Sequence, residues 1–468
     1  MTHPIIDQIL QDPKILYTLV GVFILVFFTI LFFVFKRKKP TKKNSNKKTT
    51  NNQGNKKAKS NQNRNNNKKK KGRQTKKEIA EKEIEEEIEF DLPEFQPSQH
   101  LVGKIKMGKF EVNDLQITPD GKSIVVSTSG GNLKFYSVSA FHEHLAEKES
   151  TSESKKRKTK KKQKTFVHHT IYNTGYVTPN WLSFSSGGKQ LLCGCSDCSL
   201  ILYSIKPSER AGRYVVNPIV QVKNIYNHVL YSIKSCKISP KGDFSISVSN
   251  TKDSEIDIYK RFRVDTNSIE KQTQDKKAIP TIEGKQSRIY TLNTNSIENK
   301  MIDISSNSEL MAIATATSDV RVYSITKEKN ADKINRPKKI MSLTHKSPVN
   351  YLNFSKDTKY IVTSTSKGSI KLWDLDVKWK LQEDPRLIYE KKISIHPLSI
   401  SLISPDQELI AVVEQNNIFI LNLENGEPLL KMTNIVQNSI KLLIWSLDSK
   451  LLIAVGDSAK FVSVWKVK

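Results

Sequence analysis

The stretch from Asn353 to Leu375, NFSKDTKYIVTSTSKGSIKLWDL, constrains the fold more than any other part of this chain. It reads as an apolar anchor, a turn, a strand, a second turn and a strand ending in Trp373-Asp374. Tyr360 to Ser366 and Ser369 to Trp373 are β-branched or alternating runs, and Lys367-Gly368 between them is a hairpin signal. Six weaker copies run from Val112 to Lys468, with a Ser or Thr after each apolar anchor: Thr118, Ser185, Ser239, Ser305, Ser404 and Ser446, beside Ser355. Each copy ends in an apolar-aromatic or apolar pair at a nearly constant distance from its anchor. The steps from Thr118 to Tyr136, Ser185 to Tyr203, Ser305 to Tyr323 and Ser355 to Trp373 are identical in length. Irregular loops do not hold such a register. The anchors themselves fall at uneven intervals, widest from Thr118 to Ser185 and narrowest from Ser404 to Ser446, so the variation sits in the connections.

Two hairpin strands, an anchor strand and a connecting strand make a four-stranded blade, a unit that buries its faces only by stacking on neighbours. Seven copies predict an all-β, seven-bladed β-propeller over residues 99–468, with a loop insertion at 148–165. The last copy reaches Lys468 directly after its third strand, and His100 to Phe110 precedes the first copy with no blade of its own. This leading stretch is expected to supply the missing outer strand of the last blade and so close the ring.

Upstream, the run from Ile15 to Phe35 carries no charge and consists almost wholly of Ile, Leu, Val and Phe. A helix of that length covers about 31 Å, the thickness of a hydrocarbon core. The positive cluster follows the apolar run, which argues against a cleaved signal peptide. Lys36, Arg37, Lys38 and Lys39 follow the span, whereas Asp7, Asp12 and Lys14 precede it. Residues 1–14 are therefore expected to be lumenal, residues 15–35 a transmembrane helix, and everything after Phe35 cytosolic. Residues 36–77 hold 19 Lys or Arg and no acid, the largest share of a formal net charge of +29. This Asn- and Lys-rich stretch has too little apolar surface to offset chain entropy and is expected to be a disordered linker. Residues 78–98 reverse the sign, with nine acids and one lysine between Glu78 and Glu94, and are expected to form an acidic stalk.

A second basic run, KKRKTKKKQK, interrupts the connection between the first two copies. Its Lys155, Lys156, Arg157, Lys158, Lys160, Lys161 and Lys162 are candidate contacts for an anionic partner, as are the four juxtamembrane basic residues. No phosphate loop, H-E-x-x-H helix or nucleophile elbow is present. Cys193, Cys195 and Cys198 form a C-x-C-x-x-C cluster, but the repeat puts the first two on a strand and the third near a turn, with no zinc-type partner pair. His168, His169 and His345 precede repeats and are expected to be structural, and Asp197, Asp319 and Asp374 to brace turns or strand ends. No catalytic residue, cofactor or metal is expected, and the chain reads as a non-enzyme.

The KLWDL string resembles the WD40, or Trp-Asp repeat, family. The longer KGSIKLWDLDVKWKLQEDPRLI, Lys367 to Ile388, is similar to the corresponding blade of the transducin beta-like 2 family, which shares the order of membrane span, basic linker and propeller. That resemblance implies an integral endoplasmic reticulum protein acting as a scaffold in the unfolded-protein response. Its implied partners are a PERK-type stress kinase, translation initiation factors and RNA or ribosomes. Two other functions stand as alternatives: an RNA or ribosome tether using the basic segments, and an exchange regulator of a small GTPase of the secretory pathway, a family whose known members anchor at the C-terminal rather than the N-terminal end.

Overall fold

The computed structural model describes residues 90–467, apart from 154–165, 209–212, 224–232, 250–253, 262–278, 296–297 and 327–333 and the single positions 167, 169, 176 and 382. The chain divides into two compact units, 1–77 and 78–468, and every described residue belongs to the second. The span expected at 15–35, the linker at 36–77 and most of the acidic stretch lie outside the described residues. No helix of the described residues is long and apolar enough to cross a membrane.

Seven antiparallel sheets follow one another in sequence order, each with an inner strand a, then b, c and an outer strand d. In blade 5 these are Val349–Phe354, Tyr360–Thr365, Ser369–Asp374 and Arg386–Lys392. Inner strands of successive blades contact one another, and those of blades 7 and 1 complete the circle. Strands b are buried along both faces: Ser123–Thr128, Phe244–Ser249, Leu310–Thr315, Leu409–Glu414 and Leu451–Gly456 have no exposed residue. A strand buried on both faces favours continuous over alternating apolar character. Leu310–Thr315, Leu409–Glu414 and Leu451–Gly456 supply it, whereas in Phe244–Ser249 small serines alternate with Phe244, Ile246 and Val248. Side chains such as Ile361, Val362 and Ile370 are fully buried between blades, each contributing about 1.5–3 kcal/mol.

The seven Ser or Thr anchors have one structural job. Each stands at the a–b turn. The Ser185 hydroxyl donates to the Gln190 carbonyl at 3.4 Å. In the other six the hydroxyl accepts the N–H five residues on, as from Ser123 at 3.0 Å to Thr118, Leu310 at 2.9 Å to Ser305, Tyr360 at 2.9 Å to Ser355 and Leu451 at 2.9 Å to Ser446. The same hydroxyl donates to a carboxylate two residues on, at 2.5 Å in Thr118–Asp120, Ser355–Asp357 and Ser446–Asp448. Three residues after every anchor the backbone turns left-handed. Glycine fills that position at Gly121, Gly188 and Gly242; Ser308, Thr358, Gln407 and Ser449 fill it at φ 63°, 67°, 60° and 59°.

The ring closes as the sequence predicts. Leu101–Lys106 pairs antiparallel with Phe461–Lys466 and becomes the outer strand of blade 7. Ahead of it, Phe95 is buried against Trp465, their rings 6.0 Å apart, and His100 Nδ1 lies 2.9 Å from the Lys466 carbonyl. Two insertions, both between strands c and d, fold back over the preceding blade. That of blade 1 begins with the helix Ser139–Glu153, whose Phe141 is fully buried, and ends at Phe166, 4.3 Å from the Phe141 ring and directly over Gly103 of the closing strand. That of blade 3 adds Thr281–Glu283 as a fifth, parallel strand beside Tyr214–Lys223 of blade 2. The repeat pattern does not foretell this strand, because an insertion lies outside the repeat.

Candidate functional site: the axial channel

Antiparallel order gives the ring two unlike faces. The a–b turns and c–d connections share one face, as bonds from Val138 to Lys122 and from Leu375 to Lys359 record. The b–c hairpins and d–a connections share the other, where every inner strand begins. The chain enters the closing strand on the first face, alongside the c–d insertions.

At the second face the inner strands carry a repeated irregularity. In six blades the a–b register slips by one residue near the start of strand a. The residue passed over is the same in repeat terms, five before the anchor: Asn113, Asn180, Lys234, Lys300, Asn350 and Lys441. Ser399 holds this place just ahead of the shorter Ile400–Ile403 strand of blade 6. A bulge of this kind bends a strand and re-aims its side chain. All seven residues line a single axial cavity of about 720 Å³. They touch around the ring: Asn113 Nδ2 donates to Asn180 Oδ1 at 3.2 Å, Lys300 Nζ to Asn350 Oδ1 at 3.3 Å, and Asn350 Nδ2 to the Leu398 carbonyl at 2.9 Å. Lys234 pairs with Glu298.

Deeper in the channel, polar side chains join neighbouring blades. Asp114 takes the N–H of Leu182 at 2.7 Å and that of Leu115 at 2.8 Å; Asp303 takes that of Phe354 at 3.2 Å; Asn353 takes that of Ile403 at 3.0 Å. Lys237 lies 3.8 Å from Asp303. Burial pushes the Asp114 carboxyl up to about 6, against the lowering effect of the two backbone N–H groups and of Lys237 and Lys441. Burial likewise raises the Tyr351 hydroxyl.

The residues singled out in the sequence are divided between structure and silence. His345, in the connection between blades 4 and 5, bridges the two: its Nδ1 lies 3.0 Å from the Leu343 carbonyl of blade 4, so that nitrogen donates, and Nε2 lies 2.8 Å from Thr363 Oγ1 of blade 5. Burial, helped by Lys371, lowers its pKa to about 4 and keeps it neutral. Lys371 is itself buried, held by the Thr344 carbonyl at 3.0 Å and Glu390 at 3.4 Å, a placement the sequence does not announce. Cys193, Cys195 and Cys236 are free and buried, and burial raises all three thiols, Cys236 to about 12. Among the described residues no cluster of His, Cys, Asp or Glu is arranged to hold a metal. Asp197 accepts from Ser199, Asp319 from Thr315 and Arg321, and Asp374 from the Asp376 N–H. Lys155, Lys156, Arg157, Lys158, Lys160, Lys161 and Lys162, and Lys36, Arg37, Lys38 and Lys39, lie outside the described residues. Reading the sequence for motifs misses the axial ring, although counting back five residues from each anchor finds it.

Comparison with known proteins agrees with this architecture. The family model "WD domain, G-beta repeat" matches residues 160–204 and 337–374. Transducin beta-like protein 2 of Mus musculus is 28% identical over 174 residues, 36% of this chain and 39% of that relative. The Homo sapiens protein of the same name is 25% identical over 175 residues, with the same two shares. The match thus spans about two fifths of the length of these relatives. The β-propeller domain of Cps50 (Swd1) from Myceliophteria thermophila, a crystal structure, covers 79% of this chain and 99% of its own at a TM-score of 0.53 and 11% identity, a likeness of fold alone. Seven anchored blades and a strand-closed ring make this chain a seven-bladed β-propeller in which WD40 repeats are matched at residues 160–204 and 337–374.

Proposed function

We propose that this chain is a non-enzymatic scaffold, tethered to the endoplasmic reticulum membrane by residues 15–35 with its N-terminus lumenal and its propeller cytosolic. It gathers protein partners for the stress response, a PERK-type kinase and translation factors, on the rim and faces of the ring. The observation that carries this reading is the combination, on one chain, of a closed WD40 ring and the charge-free apolar run Ile15 to Phe35 followed by Lys36, Arg37, Lys38 and Lys39. The similarity to transducin beta-like protein 2 supports the choice of membrane and partners. Lys155 to Lys162 contribute a contact for an anionic surface, RNA or ribosome included. On either side of that run in the sequence, Phe141 and Phe166 are held against the closing strand.

Proximity labelling from the propeller in cells with and without reticulum stress tests the reading. A stress-dependent kinase or initiation-factor signal is expected. A constant, salt-sensitive ribosomal signal would replace the scaffold by an RNA or ribosome tether, and a secretory GTPase in its place would make the chain an exchange regulator.

A further inference from the structure

The axial mouth carries a charge imbalance that folding does not require. Lys234, Lys237, Lys300 and Lys441 line the cavity against two carboxylates, Asp114 and Asp303. Both carboxylates are already engaged by backbone N–H groups, and Asp303 also by Lys237. Lys234 has Glu298. Among the described residues neither Lys300 nor Lys441 has a carboxylate at ion-pair distance. Six of the seven ring positions are bulged residues, which turns the side chains toward the mouth rather than into the sheet. The Nδ2 group of Asn180 is not used in a described hydrogen bond, and Lys441 is exposed to the cavity and solvent.

We infer that the axial mouth is a binding site for a small, multiply charged phosphate compound, with Lys300, Lys441 and Asn180 as its principal contacts. The volume of about 720 Å³ lies within the range of small-molecule sites. The ring positions are all Lys, Asn or Ser, with no acid among the seven, so the rim rewards a hydrophilic anion rather than an apolar peptide side chain. Lysine suits phosphate as a mobile point charge, and its charge-assisted hydrogen bonds are stronger than neutral ones. The seven-fold arrangement brings donors from separate blades to one axis, so the ligand would also tie blades 2, 4 and 7 together.

The probe is inositol hexakisphosphate, titrated into the full chain in detergent micelles. Because the basic stretches outside the ring also attract anions, the decisive comparison is between variants of equal charge. One is Lys300→Gln with Lys441→Gln; the other is Lys104→Gln with Lys460→Gln, two exposed lysines of blade 7 away from the channel. A saturable one-to-one phase is expected in the wild type and the blade 7 control, weakened at least about tenfold in the channel variant. Lys441→Gln alone, at an exposed position that folding does not need, should weaken it by a smaller factor in the same direction. Vesicles carrying a phosphoinositide headgroup distinguish a lipid source from a soluble one: capture lost only in the channel variant assigns the headgroup, and its absence assigns the free compound. Equal weakening in the two double variants, or no saturable phase in the wild type, would overturn the site.

Discussion

Gly368 closes the b–c hairpin of blade 5, and its replacement by alanine tests how the propeller uses glycine. The residue sits at φ +75°, and a Cβ built there meets the Ser394 carbonyl oxygen at 1.9 Å and that of His396 at 2.6 Å. Its own carbonyl accepts the N–H of Ile393 at 2.8 Å and of Ser394 at 3.1 Å, which fastens the d–a connection over the hairpin. The left-handed backbone costs alanine about 1 kcal/mol. The overlap cannot be relieved by a rotamer, because backbone is what stands in the way. The 393–396 segment must retreat, giving up two hydrogen bonds at about 1 kcal/mol each, so the whole loss is about 3 kcal/mol. Two other glycines separate the contributions. Gly108 has φ +80° with open space around it, and Gly187 has open space without a positive φ. In urea denaturation of the full chain, followed by tryptophan fluorescence, Gly187→Ala should leave the midpoint in place. Gly108→Ala should cost about 1 kcal/mol and Gly368→Ala about 3 kcal/mol. A Gly368→Ala variant no less stable than Gly108→Ala would refute the overlap argument.

Other outcomes follow from the same geometry. Thr358 occupies the left-handed a–b turn position at φ 67°, a poor place for a β-branched residue, so Thr358→Gly should raise the melting midpoint by the equivalent of about 1 kcal/mol. Ile105, 2% exposed on the closing strand, should cost about 2–5 kcal/mol when changed to alanine, measured by thermal melting, whereas its exposed neighbour Lys104 should tolerate the change. His345 has its pKa lowered to about 4, so below the ordinary value of 6.5 the unfolded chain binds the proton first. Its contribution is present in full above pH 6.5 and is lost as the pH falls from there to about 4, on the order of 3 kcal/mol. Asp114 runs the other way: its pKa is raised to about 6, so stability is gained as the pH falls from about 6 towards 3.8. The two largely offset each other in the wild type, and the acid-side slope of stability should become more favourable in His345→Gln, as denaturant midpoints from pH 7 to 4 would record; an unchanged slope would sink the assignment.

The architecture was legible because it is written in strict repetition. Anchor hydroxyls at Thr118 through Ser446 recur with a turn and two strands in fixed register, since each bonds the backbone of the residue that starts strand b, in six of the seven by accepting its N–H. The closing strand was legible by subtraction, from one blade a strand short and one leading stretch without a blade. What the sequence hid depends on partners far away in the chain. Lys371 reads as a surface lysine in an alternating strand until His345, Trp373 and Glu390 are seen around it. Thr281–Glu283 is three residues in an insertion, too short to show a period, and is a strand only because the edge of blade 2 lies beside it. The axial ring is intermediate. Its residues keep perfect repeat spacing, but the bulges that aim them into the channel break the alternation by which strand faces are read.

The closing strand also decides how the ring answers to force. Leu101–Lys106 is at once the outer strand of blade 7 and the first strand of the ring. Tension on the preceding chain reaches it through Phe95 and His100, which are held by Trp465 and the Lys466 carbonyl. Once those contacts yield, the load passes to the five backbone pairs with Phe461–Lys466. A pull along the strand would strain all five pairs in shear, and a pull across it would peel them one at a time. Tension that frees this strand parts blade 7 before any other blade, and the seam that joins the two ends of the ring acts as its mechanical fuse.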